Sequence, residues 1–455
     1  MTTEQILKLQ KNFFDEGNTL PYAVRKCYLI QLRKAVVLHE EEIYTALNQD
    51  LGKSRTESYM CEIGLVLSDL KYQIKHLKSF MKKKRKRTPL AQFKSKSYIQ
   101  PSPRGNTLII SPWNYPVLLS LEPLTGAIAA GNTVILKPSE YSEATSIVLK
   151  KIIEEVFPAE YAAVVLGNAE VSSELLQQDF DYIFFTGGTN IGKKVAAEAG
   201  KRLIPFTLEL GGKSPVIVDS TAKLRLAAKR IIFGKLLNCG QTCVAPDYVL
   251  VEETVKTELI SELIYWIKRL YPQYLENPDY GKIINLKHFN RIAGYIADSS
   301  KIIYGGGTNA ELLKIEPTIL TPDLEDSVMQ EEIFGPLLPV ISYRSHEELL
   351  SILKRNPHPL ALYLFSEDKR NIRYITQRVS FGGGCINDTI IHLATNSLPF
   401  GGVRSSGIGS YHGRKSFEAF SHEKSILNKA SWLDLPIRYT PYTKMKTKLI
   451  KKFMK

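Results

Sequence analysis

Five cysteines among 455 residues, an odd number with no C-x-x-C pair and no histidine cluster beside them, exclude a disulfide framework and a cysteine-built metal cage. No metal is expected, and the thiols should be reduced. No run of about 20 apolar residues is present to span a bilayer. Met1 to Lys11 is polar and amphipathic, without the basic start, apolar stretch and small-residue site of a secretory leader, so a cytoplasmic protein is expected. No repeat of fixed period occurs, and biased composition is confined to one basic run and the C-terminal tail. With 44% hydrophobic and 23% charged residues the chain is neither disordered nor fibrous, and its length suits two or three domains with a cleft between them.

The net charge of +14 is segmental. Lys82, Lys83, Lys84, Arg85, Lys86 and Arg87 supply six positive charges. Arg438, Lys444, Lys446, Lys448, Lys451, Lys452 and Lys455 supply seven more, with no acid after Asp434. Without these thirteen, 47 basic residues face 46 acidic ones. A whole-surface nucleic-acid footprint is therefore excluded, and no nucleic-acid partner is expected. The run at 82–87 reads first as a solvated face.

From Leu7 to about Met81 apolar residues recur at helical spacing, as in Ile63, Val66, Leu67, Leu70 and Ile74, which predicts a helical layer with its acids and bases on the outer face. Ser97 to Gln100 and Asn106 to Ile110 read as strands. Short apolar runs at Thr133–Leu136, Ala162–Leu166, Tyr182–Phe185 and Ile204–Leu208 then alternate with helical patterns. A second series begins at Pro215–Val218 and continues through Tyr248–Val251, Leu338–Ser342, Ala361–Phe365 and Gly384–Asn387. The prediction is an α/β protein with two lobes, the first a doubly wound parallel sheet.

Several segments carry chemistry. Phe184-Phe-Thr-Gly-Gly-Thr-Asn-Ile-Gly192 follows a strand and opens a helix, so Gly187 and Gly192 can bring helix N–H groups to an anion. Alone, it could equally be a glycine-rich turn. Lys137 and Glu140 end a strand three residues apart, where a cation and a carboxylate can hold ribose hydroxyls. Asn238-Cys-Gly-Gln-Thr-Cys243 sets a thiol among small polar residues. Glu209 lies between apolar neighbours before two glycines, where burial would raise its pKa toward that of a useful base. Asn114 sits between two prolines in Pro-Trp-Asn-Tyr-Pro116, a rigid loop able to aim an amide at an oxyanion.

Taken together, PWNYP, LKPSE, FTGG, LELGGKSP, NCGQTCVAPDY, QEEIFGPLLPV, GGGCINDT and LPFGGVRSSGIGSYHG resemble, in order, the aldehyde dehydrogenase superfamily, and within it the class 3 or fatty aldehyde branch. The resemblance runs to about Lys424. It implies a Rossmann-like cofactor domain in 1–81 and 104–210, a catalytic α/β domain in 211–403, a bridging or oligomerisation element in 82–103 and 404–435, and a homodimer. It makes Cys243 the nucleophile, Glu209 the base, and Asn114 with the Cys243 N–H the oxyanion hole. Lys137 and Glu140 match the adenosine ribose contacts, Gly187 and Gly192 the pyrophosphate turn, and Glu332 with Phe334 the nicotinamide ribose contact and its packing partner. Asn387 would border the substrate tunnel. NAD is the expected cofactor, with NADP also accepted by relatives, and the implied reaction is oxidation of an aldehyde to its acid. The residues alone leave two alternatives: a cofactor-independent cysteine esterase or thioesterase, and an inactive membrane scaffold.

Two departures from the family pattern stand out. Cys239, four residues before Cys243, would meet it on a helical turn and could form a reversible disulfide. Arg404 stands where the pattern has glycine. Beyond Pro436, Met445, Leu449, Ile450, Phe453 and Met454 recur at helical spacing among six lysines, which predicts a basic amphipathic helix suited to an anionic membrane surface.

Overall fold

The computed structural model describes residues 1–454. Two sheets organise the chain. The first has six strands in the order Gly407–Ile408, Phe206–Glu209, Tyr182–Thr186, Asn106–Ile110, Thr133–Lys137 and Ala162–Val164, all parallel except the Gly407–Ile408 edge. Sequence order reverses between Asn106–Ile110 and Tyr182–Thr186. That switch point is where doubly wound sheets open a crevice at their carboxyl ends, and Asn114, Lys137, Gly187 and Glu209 all lie at or just beyond those ends.

The second sheet has seven strands, ordered Ile302–Tyr304, Thr318–Leu320, Leu337–Tyr343, Tyr248–Glu252, Pro215–Val218, Ala361–Phe365 and Gly383–Ile386, with only the first antiparallel. Strands such as Thr133–Lys137, Pro215–Val218 and Ala361–Phe365 are buried at every residue. That is why they read as mainly apolar runs: helices cover both faces of a parallel sheet, and each buried Val, Leu or Ile contributes about 1.5–3 kcal/mol.

A third, antiparallel sheet joins Lys84–Lys86, Ser95–Pro103 and Ser421–Lys429. The basic run is thus the edge of this sheet. Lys84 pairs with Glu418 and Glu423, and its neighbours point to solvent. The range 404–435, expected to belong wholly to the bridging element, divides instead. Gly407–Ile408 completes the six-stranded sheet, the Arg414–Ala419 helix packs on Leu118–Ala130, and only Ser421–Lys429 enters the three-stranded sheet. Arg404 adopts φ 56°, the left-handed conformation that the glycine of the family pattern would take without strain.

The N-terminal layer is helical as predicted: Thr3–Asp15, Tyr22–Leu38, Glu40–Leu51, Arg55–Ser58, a π-helical turn at Tyr59–Ile63, and Gly64–Phe80. Its charges, however, do not all face outward. Glu57, Glu62 and Asp69 are buried with Gln73 on the inner face. The tail forms a helix at Lys444–Phe453, N-capped by the Thr443 side chain; no residue of it is buried, and Met445, Leu449 and Phe453 are exposed. No helix among the described residues is long and apolar enough to cross a membrane.

Candidate active site

Cys243 is delivered by an unusual turn. After the Leu224–Leu236 helix, Asn238, Cys239 and Gly240 take φ of 52°, 53° and 78°, so the chain reverses and Cys243 emerges facing a cavity. The same turn separates the two thiols expected to meet. Cys239 is buried in the core of the second lobe, and burial pushes its pKa far up. Cys243 packs against the other core cluster. The expected disulfide presupposed a helical turn that these left-handed residues replace.

Two cavities meet at Cys243, sharing Leu119, Phe400 and Tyr411 in their walls. The first, about 260 Å³, contains Asn114, Glu209, Glu332 and Phe334 together with Gly187 and Gly188. The second, about 160 Å³, is nearly all apolar and runs past Met60, Cys61, Leu65, Phe233, Ile390 and Ile391. Asn387 does not reach it. Its amide is clipped to the Ser366 backbone in both directions, at 3.0 and 2.9 Å, and Ile390 and Ile391 supply the wall where Asn387 was expected.

The electrostatics of the first cavity are those of charge withheld. Both Glu209 carboxylate oxygens are buried without a hydrogen-bond partner, and burial raises its pKa well above the ordinary value. Burial, with Asp247 nearby, likewise moves Glu332 up to about 8. Cys243 is pushed up to about 12 by burial and by the Glu332 and Glu209 carboxyls. The free protein therefore holds a thiol and not a thiolate. Iodoacetamide alkylation of Cys243, followed by peptide mass mapping, should be slow near pH 7 and climb about tenfold per pH unit to pH 9. A plateau near pH 7 would contradict this.

Asn114 donates one side-chain N–H to the Gln241 carbonyl at 3.0 Å. An amide nitrogen carries two N–H donors, so the second is uncommitted beside the thiol. Tyr115 and Thr242 join these loops through a 2.6 Å hydroxyl contact.

The dinucleotide residues fit their expected ligand. The Thr189–Lys201 helix has no side-chain cap at its N-terminus, which leaves its first N–H groups for an anion. A Cβ on Gly187 would lie 2.6 Å from the Phe185 ring, and one on Gly192 2.5 Å from Leu210, so each glycine permits a close approach that no other residue could. Lys137, buried, reaches Glu140 at 2.9 Å. The Thr186 hydroxyl is buried and unpartnered in the cavity wall. Phe334, at φ 50°, meets Trp113 edge-on with ring centroids 5.4 Å apart.

Sequence reasoning missed Thr186, Tyr411, Phe400 and the tunnel wall, which comes from five separated segments. It also missed Lys53, Glu57 and Glu62 behind the loops of Asn114 and Cys243. The one available signal was spacing, since Glu62, Val66, Asp69 and Gln73 share a helical stripe.

Two doubly wound lobes around a cleft, with a half-buried thiol between a glycine-lined polar chamber and an apolar tunnel, define the class of a dinucleotide-dependent oxidoreductase. The particular family follows from comparison: residues 2–426 match the aldehyde dehydrogenase family model, and the chain belongs to that family. It is 48% identical over 455 residues, 99% of each chain, to the 4,4'-diaponeurosporen-aldehyde dehydrogenase of Staphylococcus aureus. It is 40% identical to aldehyde dehydrogenase family 3 member A2 of Rattus norvegicus (99% of this chain, 93% of that protein), which supports the class 3 branch. Against the dimeric NADP-preferring aldehyde dehydrogenase of Canis lupus familiaris it is 40% identical (96% and 97%). Among solved structures, the substrate-bound Staphylococcus aureus AldH superposes with a TM-score of 0.98 at 46% identity over 100% of both chains. The NAD-dependent aldehyde dehydrogenase of Sinorhizobium meliloti superposes at 0.86 with 26% identity (96% and 88%).

Proposed function

We propose that this aldehyde dehydrogenase oxidises an apolar aldehyde to its carboxylic acid with NAD, and with NADP as a second cofactor, through a thioester on Cys243. The observation that carries the reading is the meeting of the two cavities at that thiol: a carbonyl carbon arriving through the apolar tunnel reaches sulfur where Glu209, Asn114 and the glycine turn stand on the other side.

Lys137 and Glu140 hold the adenosine ribose, the Gly187–Gly192 turn the pyrophosphate, and Glu332 the nicotinamide ribose, with Phe334 as its packing partner. When bound there, the nicotinamide accepts the hydride that leaves the substrate carbon. The rest of the chemistry belongs to the chain. As the Cys243 sulfur bonds to the carbonyl carbon, the thiol proton passes to solvent water in the cavity. The second N–H of the Asn114 amide and the Cys243 backbone N–H receive the oxyanion, which collapses to a thioester as hydride departs. Glu209, ionised, then takes a proton from water. Hydroxide adds to the thioester, and the acid leaves as the thiol is restored. A relative that releases its thioester to another thiol does not need this base, so water is the second nucleophile.

In this reading residues 1–81 with 104–210 bind the dinucleotide, 211–403 carry the cysteine, and the three-stranded sheet is the contact of a homodimer. The tail helix brings the enzyme to the inner face of a membrane. Its exposed Met445, Leu449 and Phe453 stand among lysines, each worth about 1 kcal/mol near an anionic surface. Deleting Lys444–Lys455 should abolish flotation with phosphatidylserine-containing vesicles and leave turnover of a soluble aldehyde unchanged. Unchanged flotation would refute the membrane role.

The direct test is reduction of NAD by the purified protein across aldehydes of rising chain length. Turnover that improves with length supports the reading, whereas hydrolysis of esters with no nucleotide dependence and no aldehyde oxidation would replace it with a cysteine esterase.

A further inference from the structure

Lysine is the residue least expected at position 53. The helix Glu40–Leu51 ends at Gly52 in the left-handed conformation, φ 66°, and the chain then turns inward, so that the Lys53 side chain is wholly buried. Its ammonium has three donors. One meets Glu62 Oε1 at 2.5 Å, one reaches the Asn114 carbonyl oxygen at 3.0 Å, and the nitrogen lies 4.0 Å from the centroid of the Tyr115 ring.

Glu62, equally buried, comes from the π-helical turn Tyr59–Ile63. Its other oxygen accepts the backbone N–H groups of Val117 at 2.8 Å and Leu118 at 3.2 Å, where the Leu118–Ala130 helix starts without a side-chain cap of its own. The ion pair therefore grips the Asn114 loop at two points, the carbonyl of residue 114 and the amides of 117 and 118.

The catalytic turn is tied to the same carbonyl. The Asn238 side-chain amide donates to Asn114 O at 2.8 Å and to Gln241 O at 3.1 Å, while Gln241 O also receives the Asn114 side-chain amide. The Asn238 backbone N–H is held in turn by Glu57 at 2.7 Å. With its carbonyl fixed toward Lys53, residue 114 can only present its side chain toward the loop that bears Cys243.

We infer that Lys53, locked by Glu62, is a positioning residue for the oxyanion donor Asn114, and that this pair serves turnover and not merely the fold. A buried ion pair is weak evidence for stability, because desolvation of both charges offsets their attraction and apolar packing of similar volume often does as well. What the pair supplies is direction: a buried ammonium that loses one of its two hydrogen bonds if the Asn114 peptide rotates. The inference rests on the oxyanion role proposed for Asn114, and its test separates the two.

Four proteins are compared for kcat, KM and melting temperature with NAD and one aldehyde: wild type, Asn114→Ala, Lys53→Met/Glu62→Gln, and the triple combination. Lys53→Met alone leaves a buried carboxylate unpaired and can fail to fold. The paired variant removes both charges, and its Gln oxygen still accepts the Val117 and Leu118 amides. Asn114→Ala should lower kcat by about 100- to 1,000-fold. Lys53→Met/Glu62→Gln should melt within a few degrees of the wild type, lower kcat by about tenfold or more and leave the aldehyde KM little changed, with Asn114→Ala costing far less on top of it than in the wild type. Wild-type kcat in the paired variant, or losses that simply multiply in the triple variant, overturns the inference while leaving the function standing. An Asn114→Ala variant with full kcat removes the oxyanion role and the inference with it.

Discussion

Cys243→Ala should lower aldehyde oxidation by about 10⁴-fold or more. The thiol is the one nucleophile at the junction of the two cavities: the Thr242 hydroxyl beside it is engaged with Tyr115. Cys61 also lines the apolar tunnel, but it stands outside the cavity that holds Glu209 and Asn114. Cys385, beside His392 at 3.6 Å, lines neither cavity. Neither can substitute. The replacement removes one sulfur from a cavity wall and should leave dinucleotide binding, read by fluorescence quenching, near wild type. Residual turnover above about one percent would show another nucleophile at work.

Glu209→Gln should separate the two halves of the reaction. Formation of the thioester does not call on the carboxylate, so a burst of reduced cofactor approaching one equivalent per site is expected, followed by turnover slower than wild type by about 10²- to 10⁴-fold. The wild-type steady state should rise with pH, because a carboxyl whose pKa is raised by burial ionises only above the usual range, and the Gln variant should lose that rise. Stability follows the same group with a definite sign. A folded-state pKa above the ordinary 4.5 means that the folded protein binds the proton more tightly, so this stabilisation is present below pH 4.5 and is lost as pH rises through the folded value. Relative to wild type, Glu209→Gln should gain melting temperature at pH 9 and gain little at pH 5. An equal shift at both, or a slow variant without a burst, would argue against a buried ionising base.

The parts of this molecule that were legible in the sequence are those whose physics is local. Parallel strands buried on both faces are mostly apolar runs, so Thr133–Leu136 and Ala361–Phe365 announced themselves. Gly187, Gly192 and the Cys243 segment are read from neighbours in the chain. What stayed hidden depends on residues brought together from afar. An acid on an amphipathic helix reads as solvated, and it is the distant Lys53 ammonium with the Val117 and Leu118 amides that makes a buried Glu62 tolerable. The tunnel wall is assembled from segments hundreds of residues apart, which no periodicity reports. Cys239 and Cys243 were paired on the assumption of a helical turn, and three consecutive left-handed residues defeat it. The boundary of the bridging element failed for a similar reason: a two-residue strand, Gly407–Ile408, is too short to carry a pattern yet decides which sheet its segment joins.

The measurement that bears most directly on the central claim is mass analysis of Glu209→Gln after mixing with NAD and an aliphatic aldehyde, with peptide mapping to locate the adduct. The expected increment is the aldehyde less two hydrogens, the hydride from its carbonyl carbon and the proton from the thiol, confined to the peptide that carries Cys243 and removed by hydroxylamine. Reduced cofactor appearing with no such acyl adduct, or with the adduct on another residue, would contradict it.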